Sequence, residues 1–234
     1  MIDVQAMRAT LSGPHREGLP FIAAGAAVAV LGGFFFTTLL WTGLLFALFC
    51  AFFFRDPDRV TPARAGLVVS PADGRVVTVA PAVPPAELGL PAHPVWRVGI
   101  FLSVLDVHIN RYPVDGRLAR IVYKHGAFAS AGDTKAGESN ERNSLVLETP
   151  DGKSVAVVQI AGQIARRIVC FVAQGDAARA GTRFGLIRFG SRVDVYLPPG
   201  VVPLVIEGQR MIGAETILAD LTTQAEAPPT GVVR

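Results

Sequence analysis

Between Glu17 and Arg55 the chain carries no charged residue, and nothing else in it constrains folding as strongly. The uncharged stretch, residues 18–54, is 37 residues long. As one α-helix it would run about 55 Å at 1.5 Å per residue, well beyond a hydrocarbon core of about 30 Å. Gly32-Gly33 near its middle offers a break, since paired glycines disfavour a helix interior. Two helices of about 13 to 18 residues are expected, as a short hairpin or a re-entrant pair. Phe35, Phe36, Trp41, Phe46, Phe52, Phe53 and Phe54 lie inside the window. Arg8, His15 and Arg16 precede it, and Arg55, Arg59 and Arg64 follow, which by the positive-inside tendency puts both outer ends on the cytoplasmic side. A secretory h-region is only about 7–15 residues. Residues 18–54 therefore read as a retained membrane anchor behind a leader of residues 1–17.

Beyond Arg59 the texture changes to short β-branched runs punctuated by Gly, Pro and Asp. Segments 67–69, 75–79, 95–102, 117–123, 144–148, 154–160, 168–172, 192–197 and 201–206 read as strands, with no convincing helix longer than about ten residues. Asp151-Gly152 between two such runs signals a type I′ hairpin. Pro71-Ala72-Asp73-Gly74-Arg75-Val76 and Pro113-Val114-Asp115-Gly116-Arg117-Leu118 echo one another, as a duplicated β unit or as two similar turns. Short strands at this spacing make the fold mainly β, a sandwich or barrel. Residues 81–94, with five prolines, read as a surface loop, and residues 224–234 as a disordered tail.

Only 18% of residues are charged and the formal net charge is +3. That balance suits a protein resting on anionic lipid. It does not suit a nucleic-acid reader, which would show basic runs with interleaved aromatics. Cys50 and Cys170 have no metal or disulfide spacing and read as free buried thiols.

The chemistry centres on Gly190-Ser191, within Arg188-Phe189-Gly190-Ser191-Arg192-Val193-Asp194. Attack by Ser191 Oγ on the Gly190 carbonyl would turn the peptide into an ester; elimination and hydrolysis would leave a pyruvoyl group in place of the serine. By itself Gly-Ser is ordinary turn chemistry. On spacing alone Asp73 is a turn former, and His108, alternating with Val107 and Ile109 in a strand-like run, is a structural histidine pointing away from both. His125 reads as structural or exposed. Asn140-Glu141-Arg142-Asn143, after the loop 129–139, reads as a solvated loop or as a mobile lid. In the second case Arg142, Lys135 and Asn140 would meet a headgroup phosphate or carboxylate.

Ser70-Pro71-Ala72-Asp73-Gly74, Leu102-Ser103-Val104-Leu105-Asp106-Val107-His108-Ile109-Asn110-Arg111-Tyr112-Pro113, Asn140-Glu141-Arg142-Asn143 and Phe189-Gly190-Ser191 occur in that order. Together with the apolar N-terminal segment they closely resemble the short bacterial form of phosphatidylserine decarboxylase, over residues 18 to 220. The resemblance implies a β-sandwich of the lipoyl-like, barrel-sandwich hybrid kind over residues 55–223. It implies self-cleavage between Gly190 and Ser191 and a pyruvoyl cofactor derived from Ser191. Fragments 1–190 and 191–234 would stay together as a heterodimer. The substrate would be phosphatidylserine, held through a Schiff base and released as phosphatidylethanolamine and carbon dioxide. The place of action would be the cytoplasmic face of the bacterial inner membrane. Asp73, His108 and Ser191 become candidates for a relay of the Ser-His-Asp type. Longer relatives carry a second histidine three residues beyond the first, where this chain has Arg111. Either His108 serves both processing and decarboxylation, or processing depends mainly on strain and oxyanion donors. Two other classes use the same residues: a membrane-anchored serine hydrolase on Ser191, His108 and Asp73, and a non-catalytic lipoyl-like carrier or scaffold with Lys153 at its hairpin tip.

Overall fold

The computed structural model describes residues 12–126, 140–162, 167–189, 191–223 and 227–231. It divides into two compact units, residues 1–58 and 59–234. In the first, Pro20 stands in the first turn of α1 (Leu19–Ala27), where its missing N–H costs nothing. The helix loosens into a π turn over Val28–Gly32, the chain bends at Phe34–Phe36, and α2 runs over Thr37–Phe53. The break thus falls just beyond the expected Gly32-Gly33. Small residues let the helices touch: a Cβ on Gly43 would lie 2.4 Å from Ala29 N and 2.6 Å from Gly25 O. Phe34, Phe35, Leu31 and Leu45 are left exposed. Among the described residues no helix is long and apolar enough to cross a membrane.

The second unit is built of antiparallel β structure, as expected. Its strands are β1 (Leu67–Val69), β2 (Gly74–Ala82), β3 (Val95–Leu102), β4 (Ile109–Arg111), β5 (Gly116–Lys124), β6 (Arg142–Glu148), β7 (Ser154–Ala161), β8 (Ile168–Cys170), β9 (Ala177–Ala178), β10 (Arg183–Ile187), β11 (Ser191–Tyr196), β12 (Arg210–Met211) and β13 (Ile217–Asp220). Eight form one sheet in the order β12-β2-β3-β11-β7-β6-β5-β9; β4-β10-β8 and β1-β13 form two small ones. Ile100, Leu102, Val155, Val157, Val193 and Val195 share one face of the large sheet and pack with Val68, Phe184, Ile187 and Leu218 of the small sheets into the main core. The opposite face carries Val146, Ala156, Val158, Ile160 and Tyr196, covered by Leu88.

The echo between residues 71–76 and 113–118 is structural. Val69 N donates to Pro113 O and Arg111 N donates to Pro71 O, both at 2.9 Å. Ser70 N reaches Thr216 O as Tyr112 N reaches Thr182 O, both at 2.8 Å. Asp73 Oδ1 accepts from Gly213 N, and Asp115 Oδ1 from Ala180 N. Gly74 (φ 148°) and Gly116 (φ 153°) bring the backbone against a neighbouring strand at equivalent places. A Cβ would lie 2.2 Å from Phe101 O at the first and 2.1 Å from Glu148 O at the second. The large sheet is correspondingly palindromic: β12, β2, β3 and β11 answer to β9, β5, β6 and β7. The chain holds two copies of one β unit, the second inserted into the first between β3 and β11. Where the second copy has its tight β6–β7 hairpin, the first copy is interrupted, and Ser191 opens the returning strand.

Several sequence expectations change. Residues 201–206 form no strand, only an isolated bridge between Pro203 and Ala219, because Pro203 cannot donate to a ladder; Val201 and Val205 are nevertheless buried. The segment 81–94 is not all surface loop: Pro81 and Ala82 belong to β2, and Leu88, in a 3₁₀ turn, is buried. The turn at Asp151-Gly152 is a three-residue hairpin, not type I′. Only Gly152 has a positive φ (76°), because Pro150 favours a type I turn closed by a glycine bulge. Cys50 is buried, but Cys170 is exposed. Of the tail, residues 227–231 carry no helix or strand; 224–226 and 232–234 lie outside the described residues.

Candidate active site

Ser191 is the first residue of β11, hydrogen-bonded in register with Leu102 of β3 on one side and Ala161 of β7 on the other. It is 0% exposed, and its Oγ has no hydrogen-bond partner among the described residues. A buried hydroxyl without a partner is costly, so the fold keeps it at the expense of stability. Two residues upstream, Phe189 sits at φ 61°, in the left-handed region, which costs a non-glycine residue roughly 1–2 kcal/mol. Gly190 lies outside the described residues. Strain and an unsatisfied nucleophile thus flank the Gly190–Ser191 bond.

His108 is buried. The strand-like alternation expected around it is absent. Ser103 to Asp106 form a turn closed by Asp106 N donating to Ser103 O at 2.9 Å, and β4 begins only at Ile109. Val107, His108 and Ile109 are all buried, so burial on both sides removes the contrast that alternation needs. His108 Nδ1 lies 2.9 Å from Asp106 O. A carbonyl only accepts, so Nδ1 carries the proton and Nε2 is the basic nitrogen of the neutral ring. The His108 carbonyl accepts from Ile187 N at 3.4 Å, tying the histidine to the strand that leads into Phe189.

Asp73 is held elsewhere. Its carboxylate accepts from Arg59 Nη2 at 2.7 Å and Gly213 N at 2.6 Å, so no Ser191–His108–Asp73 relay is hydrogen-bonded in the structure. Burial pushes its carboxyl up, with Arg59 opposing and the charge of Asp106 adding to the rise. The carboxylate nearest the histidine in sequence is Asp106, which the sequence reading passed over. Its Oδ2 accepts from Ser103 N and Oγ, both at 2.8 Å, and its Oδ1 from Arg210 Nη2 at 2.5 Å. Arg111 is buried and donates Nη1 to Gly181 O at 2.9 Å. A guanidinium cannot act as the base that a histidine would be there.

The tetrad 140–143 is neither a solvated loop nor a lid, since Asn140, Glu141, Arg142 and Asn143 are all buried. Asn140 Nδ2 donates to Ala161 O at 2.8 Å, fixing the end of β7 beside Ser191. Asn143 Nδ2 donates to Gln159 Oε1 at 2.9 Å, and Gln159 Nε2 to Asn110 Oδ1 at 2.8 Å. This buried amide chain shares the Ser191 face of the sheet and ends two residues from His108. No periodicity could have revealed it, because its members come from three strands, with Asn110 of β4 far from the β6–β7 hairpin in sequence. Arg142 pairs across strands with Ile160, which pairs with Arg192; it therefore faces away from Ser191, and its Nε meets Glu87 Oε1 at 2.5 Å. Lys135 and the loop 129–139 lie outside the described residues. His125 stacks edge-on against Tyr123 at 5.1 Å. Lys153 donates Nζ to Leu221 O, so it is not a free hairpin-tip lysine of the kind a carrier would modify.

The site is thus a serine hydroxyl sealed inside a sheet, two residues beyond a left-handed Phe189. A family model for phosphatidylserine decarboxylase matches residues 46–219, and the chain belongs to that family. The phosphatidylserine decarboxylase proenzyme of Granulibacter bethesdensis is 60% identical over 222 residues, covering 95% of this chain and 91% of that protein. Those of Gluconobacter oxydans and Ruegeria pomeroyi are 57% and 54% identical, covering 93% and 92% of this chain and 99% of each relative.

Proposed function

We propose that the chain is a phosphatidylserine decarboxylase proenzyme that cuts itself between Gly190 and Ser191 and then converts phosphatidylserine to phosphatidylethanolamine and carbon dioxide. The observation that carries this is the buried Ser191 Oγ, without a partner among the described residues, following the left-handed Phe189. Oγ bonds to the Gly190 carbonyl carbon as the C–N bond breaks, and its proton passes to the freed amine. Loss of the Ser191 α-proton expels the Gly190 carboxylate and leaves dehydroalanine. Addition of water and departure of ammonia leave a pyruvoyl cap on residues 191–234. His108 is the base: with Nδ1 donating to Asp106 O, Nε2 is the basic nitrogen of the ring, and since the guanidinium of Arg111 cannot take up a proton, both steps fall to this one histidine. Asp73 positions the Pro71–Gly74 turn through Gly213 and Arg59 and takes no part in a relay. Asn110 Nδ2, buried and without an acceptor among the described residues, is a candidate oxyanion donor.

The fold supports retention of both fragments, because each strand of the smaller one pairs with the larger: β11 with β3 and β7, β12 with β2, β13 with β1. The two nested copies favour the barrel-sandwich hybrid type for residues 55–223. Once formed, the pyruvoyl group supplies a ketone that takes the substrate's primary amine and draws in the electrons released as the α-carboxylate leaves. His108 returns a proton to the α-carbon. The helices of residues 18–54, with α2 only about 26 Å long, suit a re-entrant anchor at the cytoplasmic face of the inner membrane, where a lipid headgroup presents itself. Intact mass of purified wild-type protein should give two chains, the smaller starting with a blocked residue, and Ser191→Ala should give one inactive chain. A single unmodified wild-type chain that still decarboxylates would end this reading.

A further inference from the structure

The outer face of the large sheet holds a cavity of about 480 Å³ whose lining includes Arg97, Lys124, Arg142, Glu87, Asp194 and Tyr196. It is separate from the Ser191 face: Arg192 pairs with Ile160, which lines the cavity, whereas Ser191 pairs with Ala161, which packs in the main core. Cations outnumber carboxylates here, and both carboxylates are already engaged. Glu87 is taken by Arg142 at 2.5 Å and Asp194 by Arg192 at 2.5 Å, whereas Arg97 reaches Asp194 only at 4.0 Å.

Three buried polar atoms on this face have no partner among the described residues: Arg97 Nε, Arg192 Nη1 and Ser144 Oγ. Arg192 and Ser144 are themselves 0% exposed, and Ser144 pairs with Val158 on the cavity floor. The two guanidinium nitrogens only donate, and the Ser144 hydroxyl can donate or accept. Of the three, Arg97 lines the cavity, while Arg192 and Ser144 lie buried beneath its floor; an unmet guanidinium donor beside an excess of cations favours a ligand that accepts. A tetrahedral oxyanion has lone pairs in several directions and carries the charge that guanidinium groups recognise.

We propose that this cavity binds a phosphate-class oxyanion, free or as a lipid headgroup, at a site distinct from Ser191. Full-length Ser191→Ala protein in a non-ionic detergent would be titrated calorimetrically, once with inorganic phosphate and once with dihexanoylphosphatidylglycerol. Saturable binding is expected, weakened about tenfold by Arg97→Gln, which removes a charge-assisted donor, and several-fold by Lys124→Gln at the exposed rim. Binding of inorganic phosphate assigns the site to the free anion, and binding of the lipid alone assigns it to a headgroup. No heat from either, or binding that neither substitution weakens, overturns the proposal. Lys124 is exposed, so its variant reports even where Arg97→Gln disturbs folding. Because Ser191→Ala cannot make a pyruvoyl group, the result stands whatever becomes of the decarboxylase reading.

Discussion

Asp194→Asn should be among the most destabilising single changes in the β unit. Arg192 is 0% exposed and Asp194 2%. Their contact is bidentate, Nε to Oδ1 at 2.5 Å and Nη2 to Oδ2 at 3.1 Å. Gly99 on the adjacent strand leaves the room, since a Cβ there would lie 2.8 Å from Arg192 Nη2. Burial pushes the Asp194 carboxyl up while Arg192 pulls it down. Neutralising Asp194 leaves a buried guanidinium without its counter-charge, which costs about 3–5 kcal/mol. With a urea slope of about 2 kcal/mol/M for a unit of this size, the unfolding midpoint should fall by about 2 M. The assay is a urea titration followed by Trp96 fluorescence, in a Ser191→Ala, Trp41→Phe background so that every sample is one chain. Replacing both residues by leucine should recover most of the loss, because no charge is then left alone. A midpoint shift below about 0.5 M for Asp194→Asn would refute the reasoning.

Gly74→Ala and Gly116→Ala should be comparably damaging, each forcing a methyl into a carbonyl about 2 Å away, and both should cut the yield of soluble, processed protein; tolerance of one but not the other would contradict the twofold relation. Hydrogen bonds from Thr222, with help from Arg64, hold the Asp220 carboxyl well below the usual carboxylate range. A depressed folded value contributes stability that is present above about pH 4, the unfolded value, and is lost as pH falls through the folded one. The decline in Tm between neutral and acid pH should therefore be shallower in Asp220→Asn than in the parent. Leu88→Ala should lower stability by about 2–5 kcal/mol in the same urea assay, although residues 81–94 look like a surface loop, because Leu88 covers the outer face of the sheet.

The strands legible in sequence are those with one wet face or a continuous β-branched run, such as β3 and β7. The two- to five-residue strands β4, β9, β10, β12 and β13 were missed, because so short a segment carries no measurable period and is placed only by its partners. The twofold repeat was half visible: Asp73-Gly74 and Asp115-Gly116 share a spelling, but the bonds exchanged between Val69, Pro113, Arg111 and Pro71 join residues some forty positions apart. The tetrad 140–143 misled because polar side chains suggest solvent, whereas here they bond Ala161, Tyr123, Glu87 and Gln159 from other segments. Arg142 was assigned to a headgroup on charge alone, and strand register turned it to the other face.

The order of motifs determined, without coordinates, the family, and the Gly190-Ser191 dipeptide supplied the bond at which self-cleavage is proposed. Hydropathy determined that residues 18–54 stand apart from the rest. Where the Asp73 carboxylate is held, which face each arginine occupies and why Ser191 is buried without a hydroxyl partner among the described residues were decided only by tertiary structure. The physical reason is range. Composition and local periodicity act over a few residues, whereas antiparallel register and the closing of one β unit inside another set neighbours between segments that the sequence keeps far apart.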